Sequence, residues 1–213
     1  MASSIAAEIA ERLLHIKAVQ LNTEKPYTWA SGWKSPIYCD NRKVLSFPHA
    51  RDLVKSELCS VIFEKCPEAD VIAGVATAGI AWGVMAADQL KLPFVYVRSK
   101  PKEHGMGNQI EGEIKPGQKV VVVEDLVSTG KSSLTICEAL RAAGAEVICM
   151  VCIFTYGFPE ATAAFEKAGI PMYSLSDYGT LSEIALEKGI IQKQQLDSLL
   201  NWRANPSAWT GVL

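Results

Sequence analysis

The sequence predicts an α/β fold in which helices cover both faces of a central parallel sheet, next to a small N-terminal element. Three observations support this prediction. The strand-like segments are continuous apolar runs, such as VIAGVA at 71–76, which is typical of strands buried on both faces. Each run is followed by a helical segment, and this alternation generates parallel sheets. With 213 residues, 49% of them hydrophobic, the chain can bury a sizeable core.

The N-terminal part combines one helix with an aromatic, irregular segment. The helix is predicted by apolar residues that share one face: Ile5, Ile9, Leu13 and Ile16. Residues 23–42 contain two short extended pieces with a turn at Ser31-Gly32 between them. A second helix is expected from Pro48 to about Phe63, because proline is favoured in the first helical turn.

The rest of the chain is predicted to alternate between strands and helices. Strands are expected at 71–76, 93–98, 119–125, 146–154 and 172–175, and helices at 79–90, 129–143 and 159–168. In such sheets, ligands bind beyond the carboxyl ends of the strands. We expect one domain over residues 1–213. Residues 1–45 would form an N-terminal helix and a small covering element, the hood, and residues 46–190 would form the α/β core. The tail at 191–213 would pack back through Trp202 and Trp209.

Composition and charge favour a soluble, cytoplasmic protein. The net charge of −2, with both signs interspersed, argues against a nucleic-acid-binding surface. Glu8 and Glu11 interrupt the apolar N-terminus, which argues against a signal peptide, and no apolar run is long enough to span a membrane. The six cysteines are therefore expected to be free thiols. Cys149 and Cys152 form a CxxC, but on a strand they would point to opposite faces, so core packing is favoured over a redox or metal site.

The strongest functional signal is VVVVEDLVSTGKSS at 120–133. A buried strand delivers Glu124 and Asp125 to the sheet edge, and a loop of small residues then enters a helix. Loop amides, hydroxyls and the helix N-terminus suit a phosphate, while the two acids suit a ligand that also carries hydroxyls or a metal. A ribose 5-phosphate offers both. A nucleotide P-loop does not fit, because Asp125 stands where that motif needs glycine. A capped helix beside two solvated acids is the purely structural alternative.

This segment closely resembles the phosphoribosyl pyrophosphate (PRPP) signature of the type I phosphoribosyltransferases. The resemblance implies that Glu124 and Asp125 hold the ribose hydroxyls, that residues 128–132 hold the 5-phosphate, and that Asp125 supports positive charge developing on the ribose. Residues 98–108 (RSKPKEHGMGN) resemble the hood-like loop of the orotate phosphoribosyltransferases, whose cations act on the departing pyrophosphate. The resemblance makes Lys102 and Asp125 catalytic. It assigns PRPP binding to Arg98, Lys102, His104, Glu124, Asp125, Leu126, Val127, Ser128, Thr129, Gly130, Lys131 and Ser132.

Two other segments match the same branch of the family. Residues 31–40 (SGWKSPIYCD) resemble its SGxxSPxY element over the nucleobase, which implies orotate contacts from Tyr38 and Ser128. Residues 74–79 (GVATAG) correspond to its pyrophosphate-side loop. The chain departs from the pattern at Ser99, where the family often has lysine, and at Ala30. The change at Ala30 excludes a lysine at that position from recognising the orotate carboxylate.

The resemblance implies transfer of ribose 5-phosphate from PRPP to orotate in pyrimidine biosynthesis. It also implies Mg²⁺ held mainly by PRPP rather than by direct protein ligands, and a homodimer with shared active sites. Neither nucleic acid nor membrane is expected as a partner. Two alternatives remain open: a purine phosphoribosyltransferase, which would share the PRPP loop, and a non-catalytic PRPP-sensing regulator.

Overall fold

The computed structural model describes residues 4–29, 32–99 and 109–209. Its helices are α1 (Ile5–His15), a 3-10 helix (Asn41–Ser46), α2 (Pro48–Lys65), α3 (Gly79–Leu90), α4 (Lys131–Ala142), α5 (Pro159–Ala168), α6 (Tyr178–Glu187) and α7 (Lys193–Ala204). Its strands are β1 (Val19–Leu21), β2 (Tyr27–Thr28), β3 (Lys34–Ser35), β4 (Ile37–Cys39), β5 (Val71–Val75), β6 (Phe94–Val97), β7 (Ile110–Glu111), β8 (Lys119–Val127), β9 (Glu146–Thr155) and β10 (Met172–Asp177).

The central sheet has the strand order β10-β9-β8-β5-β6-β7. All neighbouring strands are parallel except β6 and β7, which are antiparallel. The pairing of β5 with β8 ends at Gly74 and Val123, whereas β8 and β9 continue together through Val127 and Thr155. The last residues of β8 therefore extend past β5 at the carboxyl edge, where ligands of parallel sheets bind.

Alternate residues of β8 pack into separate cores on the two faces of the sheet. Val121 and Val123 lie in the core that α1, α2, α3, α6 and α7 cover, and Val120 and Val122 lie in the core that α4 and α5 cover. Because both faces are covered, a polar residue inside this strand would have no water, so the run is valine. The predicted α/β class, with helices on both faces of the sheet, is confirmed.

Several elements were not predicted from the sequence. The short strands β1 and β7 offer too few residues for a recognisable pattern. Helix α6 follows β10 without an intervening loop, and Asp177 caps it by accepting from the N–H groups of Gly179 and Thr180 at 2.8 and 3.1 Å. Helix α4 begins at Lys131, two residues later than expected, because Gly130 has a left-handed φ of +77°.

Two expectations about single residues have different outcomes. Cys149 and Cys152 do lie in opposite cores, as predicted from strand alternation. The expectation of six free thiols is wrong for Cys66 and Cys149, which form a disulfide with each other. Cys66 directly follows α2, which packs over β9, and the 83-residue separation left no signal in the sequence spacing.

The C-terminal tail packs back onto the fold, as predicted. Trp202 of α7 is fully buried, and its Nε1–H donates to the backbone oxygen of Lys34 at 3.0 Å. The Nε1–H of Trp209 donates to the hydroxyl of Ser198 at 3.2 Å. The tail thereby anchors the β2–β3 hairpin of the N-terminal element. Within the described ranges, no helix is long and apolar enough to cross a membrane.

Candidate active site

Glu124 and Asp125, the acid pair, lie near the end of β8 in a largely closed environment. Glu124 is only 7% exposed, and both of its carboxylate oxygens are engaged. Oε1 accepts from the backbone N–H of Asp125 at 3.0 Å, and Oε2 accepts from the hydroxyl of Ser133 at 3.5 Å. These bonds fix the orientation of Glu124 before any ligand arrives.

The electrostatics of the acid pair favour a bound cation or hydroxyl donors. Burial, reinforced by the negative charge of Asp125, raises the pKa of Glu124 well above its ordinary value. Burial also raises the pKa of Asp125, although the hydrogen bond with Glu124 and the positive charge of Arg42 oppose this rise. Two adjacent buried carboxyl groups repel each other when both are ionised, and ligand hydroxyls or a metal ion would relieve that repulsion.

The loop at 128–132 connects the acid pair to α4. Gly130 takes the left-handed conformation, and a Cβ atom there would lie 2.9 Å from Cε2 of Phe165. Glycine is therefore required both for the turn and for the approach of α5. Together with Ser99 and Thr135, the loop residues Thr129, Lys131 and Ser132 line a cavity of about 450 Å³, here called the loop cavity. Hydroxyl groups, a lysine and a helix N-terminus converge there, which suits a phosphate group.

A second glycine turn lies beside the acid pair, between β5 and α3. Gly79 begins α3, and a Cβ atom on it would lie 2.5 Å from the backbone oxygen of Val123. Only a residue without a side chain allows α3 to start this close to the end of β8. The peptide bond between Ala76 and Thr77 in this turn is cis. The structure thus places the 74–79 segment next to the acid pair, where the sequence resemblance put a pyrophosphate-side loop.

The 3-10 helix supports the acid pair from the N-terminal element. Asn41 is fully buried, and its Nδ2–H donates to the backbone oxygen of Asp125 at 2.7 Å. Its Oδ1 accepts from the thiol of Cys39 at 3.4 Å, and burial raises the pKa of that thiol, so it remains a protonated donor. The next residue, Arg42, forms an ion pair with Asp40 at 2.6 Å.

An aromatic cavity of about 560 Å³ adjoins this edge of the sheet. It is lined by Tyr27, Thr28, Trp29, Tyr38, Cys39, Leu126, Ser128 and Tyr156. The ring centroids of Tyr156 and Trp29 are 5.1 Å apart, and that of Trp202 lies 5.7 Å from that of Tyr156. Tyr38 is 42% exposed, so its ring is accessible to a ligand. The cavity is wide enough for a planar heterocycle and has aromatic faces on which one could stack.

The structure places the predicted site residues differently. Leu126 and Ser128 line the aromatic cavity, and Thr129, Lys131 and Ser132 line the loop cavity, so one continuous segment joins the two spaces. The side chain of Val127 is fully buried, which restricts any ligand contact to its backbone. Lys102 and His104 lie outside the described residues.

The segment that carries Lys102 and His104 begins and ends at a tightly closed pair of residues. The backbone N–H of Arg98 donates to the oxygen of Gln109 at 2.9 Å, and Nε2–H of Gln109 donates back to the oxygen of Arg98 at 2.8 Å. The guanidinium of Arg98 lies 3.7 Å from Glu111, an acid that sequence reasoning did not consider. Arg98 itself is thus placed at the end of β6, where its charge is shared with Glu111.

Sequence reasoning missed several residues that build the site. Asn41 gave no signal because its partner lies 84 positions away along the chain. Tyr156 lies just after the predicted strand at 146–154, and Trp29 lies in the irregular segment at 23–42. Trp202 lies in the distant tail. Asn41 lies two residues after the end of β4, and this position in a segment that follows a strand is the one clue that was available.

Comparison with known proteins agrees with this geometry. A profile of the phosphoribosyl transferase domain family matches residues 48–157. The chain is 57% identical over 200 residues to an orotate phosphoribosyltransferase of Bacillus subtilis, covering 94% of this chain and 93% of that one. It is 54% identical over 200 residues to an orotate phosphoribosyltransferase of Bacteroides thetaiotaomicron, covering 94% of each.

A solved structure extends the likeness to three dimensions. The orotate phosphoribosyltransferase of Aeropyrum pernix superposes with a TM-score of 0.73 at 28% identity, covering 86% of this chain and 99% of that one. The chain therefore belongs to the phosphoribosyltransferase family, within its orotate phosphoribosyltransferase branch.

Proposed function

We propose that this enzyme transfers the ribose 5-phosphate group of PRPP to orotate, giving orotidine 5′-monophosphate and pyrophosphate in pyrimidine (UMP) biosynthesis. One observation carries the proposal: a single segment, residues 124–132, contains the acid pair, residues that line the aromatic cavity and residues that line the loop cavity. The loop and the acids suit the phosphate and the ribose of PRPP, and the aromatic cavity suits a flat pyrimidine ring.

The residues of the site would have separate roles in binding PRPP and in catalysis. The loop cavity holds the 5-phosphate on backbone amides and hydroxyls, while Glu124 and Asp125 accept hydrogen bonds from the ribose hydroxyls. As the bond from C1 of ribose to pyrophosphate breaks, positive charge develops on the ribose, and the carboxylate of Asp125 stabilises it. N1 of orotate attacks C1 from the opposite face and loses its proton, and Ser128 orients the base.

Mg²⁺ fits the donor groups present at the site. The acid pair offers carboxylate oxygens, the ligand type that this ion prefers, and PRPP offers more oxygens of its own. When bound, the ion would neutralise charge on the pyrophosphate. Following the family, we place it mainly on PRPP, with the acid pair acting on the ribose hydroxyls.

The cations of the 98–108 segment would assist the departure of pyrophosphate. We assign Lys102 to neutralise the leaving group, with Arg98 and His104 beside it. Because Glu111 shares the charge of Arg98, Lys102 is the stronger candidate. We further propose a two-fold dimer in the cytoplasm, in which this segment reaches the site of the partner subunit and makes both sites composite.

An activity assay tests the proposed reaction. Purified protein with orotate, PRPP and Mg²⁺ should consume orotate, followed by its absorbance, and should release one pyrophosphate per orotate. Adenine, hypoxanthine and uracil, each added in competition, should be poor substrates. Efficient turnover of a purine would assign the protein to the purine enzymes instead. PRPP binding without turnover of any base would favour a regulator.

Mixing two inactive variants tests the composite site. Lys102→Ala and Asp125→Asn proteins should each be inactive, but after subunit exchange a heterodimer would have one site with both lesions and one intact site. Activity should then return to a substantial fraction of the wild-type value. If the segment acts within its own subunit, every site keeps one lesion and the mixture stays inactive. Mass spectrometry of labelled subunits would confirm that exchange occurred.

A further inference from the structure

The aromatic cavity lacks any charged side chain among its described lining residues, all of which are neutral. Orotate carries a carboxylate that is ionised at neutral pH. Placing an ionised carboxylate against a largely apolar wall is costly unless a cation or several hydrogen-bond donors meet it. The nearby acid pair adds repulsion rather than attraction. A cation at the rim of the cavity would meet this need.

Lys34 lies at that rim. It is on β3, directly across the hairpin from Thr28 of β2, and Thr28 lines the cavity. The ammonium of Lys34 donates to Oγ1 of Thr28 at 2.8 Å, so its charge lies next to the cavity wall. Both side chains are exposed, which leaves the ammonium accessible to a substrate. In the described part of the chain, no carboxylate lies within ion-pair distance of this ammonium.

The backbone at this position is well anchored. The indole of fully buried Trp202 donates to the backbone oxygen of Lys34 at 3.0 Å. Ser35, the next residue, is also fully buried and its hydroxyl donates to the oxygen of Ile37 at 2.9 Å. The backbone of Lys34 is therefore held in place and only its side chain can move, which limits the positions that its ammonium can reach.

Among the residues that the structure describes, three other cations near the site are paired or lie on its phosphate side. Arg42 forms a 2.6 Å ion pair with Asp40, and Arg98 lies 3.7 Å from Glu111. Lys131 lines the loop cavity, on the phosphate side. Position 30, where related enzymes often carry a lysine, holds alanine here.

We infer that Lys34 is the specificity-determining cation that recognises the carboxylate of the nucleobase substrate, with the hydroxyl of Thr28 holding the ammonium in place between turnovers. This inference rests on the proposed function and adds a recognition residue to the same site. Its chemistry is an ion pair between an ammonium and the substrate carboxylate, so it concerns selectivity for an acidic pyrimidine and not the binding of PRPP.

The test compares a charged and a neutral form of the same base in a Lys34→Gln variant. The KM for orotate should rise about 10- to 100-fold, as expected for loss of a charge-assisted hydrogen bond, while the KM for PRPP should change less than about twofold. The dissociation constant of methyl orotate, which lacks the charge, should be the same in variant and wild type. Lys34→Arg should retain most of the preference for orotate over its ester.

Two controls make the outcome decisive. Lys25→Gln removes another exposed lysine of the same N-terminal element and should leave every constant unchanged. Equal weakening of orotate and methyl orotate in Lys34→Gln, or no weakening of either, would overturn the inference while the proposed function stands. A wild-type protein that does not convert orotate would instead overturn the proposed function, and the inference with it.

Discussion

The buried amide of Asn41 links the N-terminal element to the catalytic strand, and Asn41→Ala probes that link. The substitution removes the donor that meets the backbone oxygen of Asp125 at 2.7 Å and the acceptor for the thiol of Cys39. Asn41 is 0% exposed, so water is not positioned to replace the lost donor. An unpaired buried carbonyl costs about 1–3 kcal/mol, and we expect the free energy of unfolding to fall by that amount.

The same change should reduce catalysis, because it releases the backbone that positions the carboxylate of Asp125. If the full 1–3 kcal/mol also supports the transition state, kcat/KM would fall roughly 5- to 150-fold. Urea unfolding followed by tryptophan fluorescence measures the first effect, and initial rates with saturating orotate measure the second. For a domain of this size the melting temperature should fall by about 2–4 °C per kcal/mol.

Two further variants show whether the hydrogen bond is responsible. Asn41→Asp keeps the shape but places a carboxylate against the oxygen of Asp125, so at neutral pH it should be more damaging than alanine. Asn201→Ala, on the exposed surface of α7, should change the free energy of unfolding by less than about 0.5 kcal/mol. An Asn41→Ala protein with the wild-type urea midpoint and wild-type kcat would refute the reasoning.

Three other predictions concern the acid pair and its loop. Asp125→Asn should leave the protein folded, with a urea midpoint at least as high as wild type, yet nearly abolish turnover; unaltered activity at saturating PRPP would remove Asp125 from the mechanism. Because the folded pKa of Glu124 is raised above its ordinary value of 4.5, the stability contributed by its protonated form is complete below that value and is lost as pH rises through the folded pKa. Glu124→Gln should therefore unfold at higher urea than wild type at pH 7, with the gap closing near pH 4, and a less stable variant at pH 7 would contradict this. Gly130→Ala combines left-handed strain with a 2.9 Å approach to Phe165, so it should cost about 1–3 kcal/mol and raise the KM for PRPP. Gly189→Ala, with φ +67° and open space around it, isolates the strain alone and should leave that KM unchanged.

Local sequence pattern was enough to predict the fold class and the chemistry at the end of β8. Continuous valine runs are typical of strands buried on both faces, and strands that alternate with helices are typical of parallel sheets, so the local pattern predicts the architecture. The predicted helices at 79–90 and 159–168 match α3 and α5 residue for residue. The acid pair and the 128–132 loop are contiguous in the chain, so their proximity required no knowledge of the fold.

The distant residues that complete the site could be identified only from the packing of the folded chain. Asn41 reaches Asp125 across 84 positions, and Trp202 reaches Lys34 across 168. Such contacts depend on how whole elements pack, and spacing along a single sequence carries no trace of them. The disulfide between Cys66 and Cys149 escaped prediction for the same reason. Local periodicity reports which face of an element is buried, but the partner on the other side of that face is chosen by the packing of the complete chain.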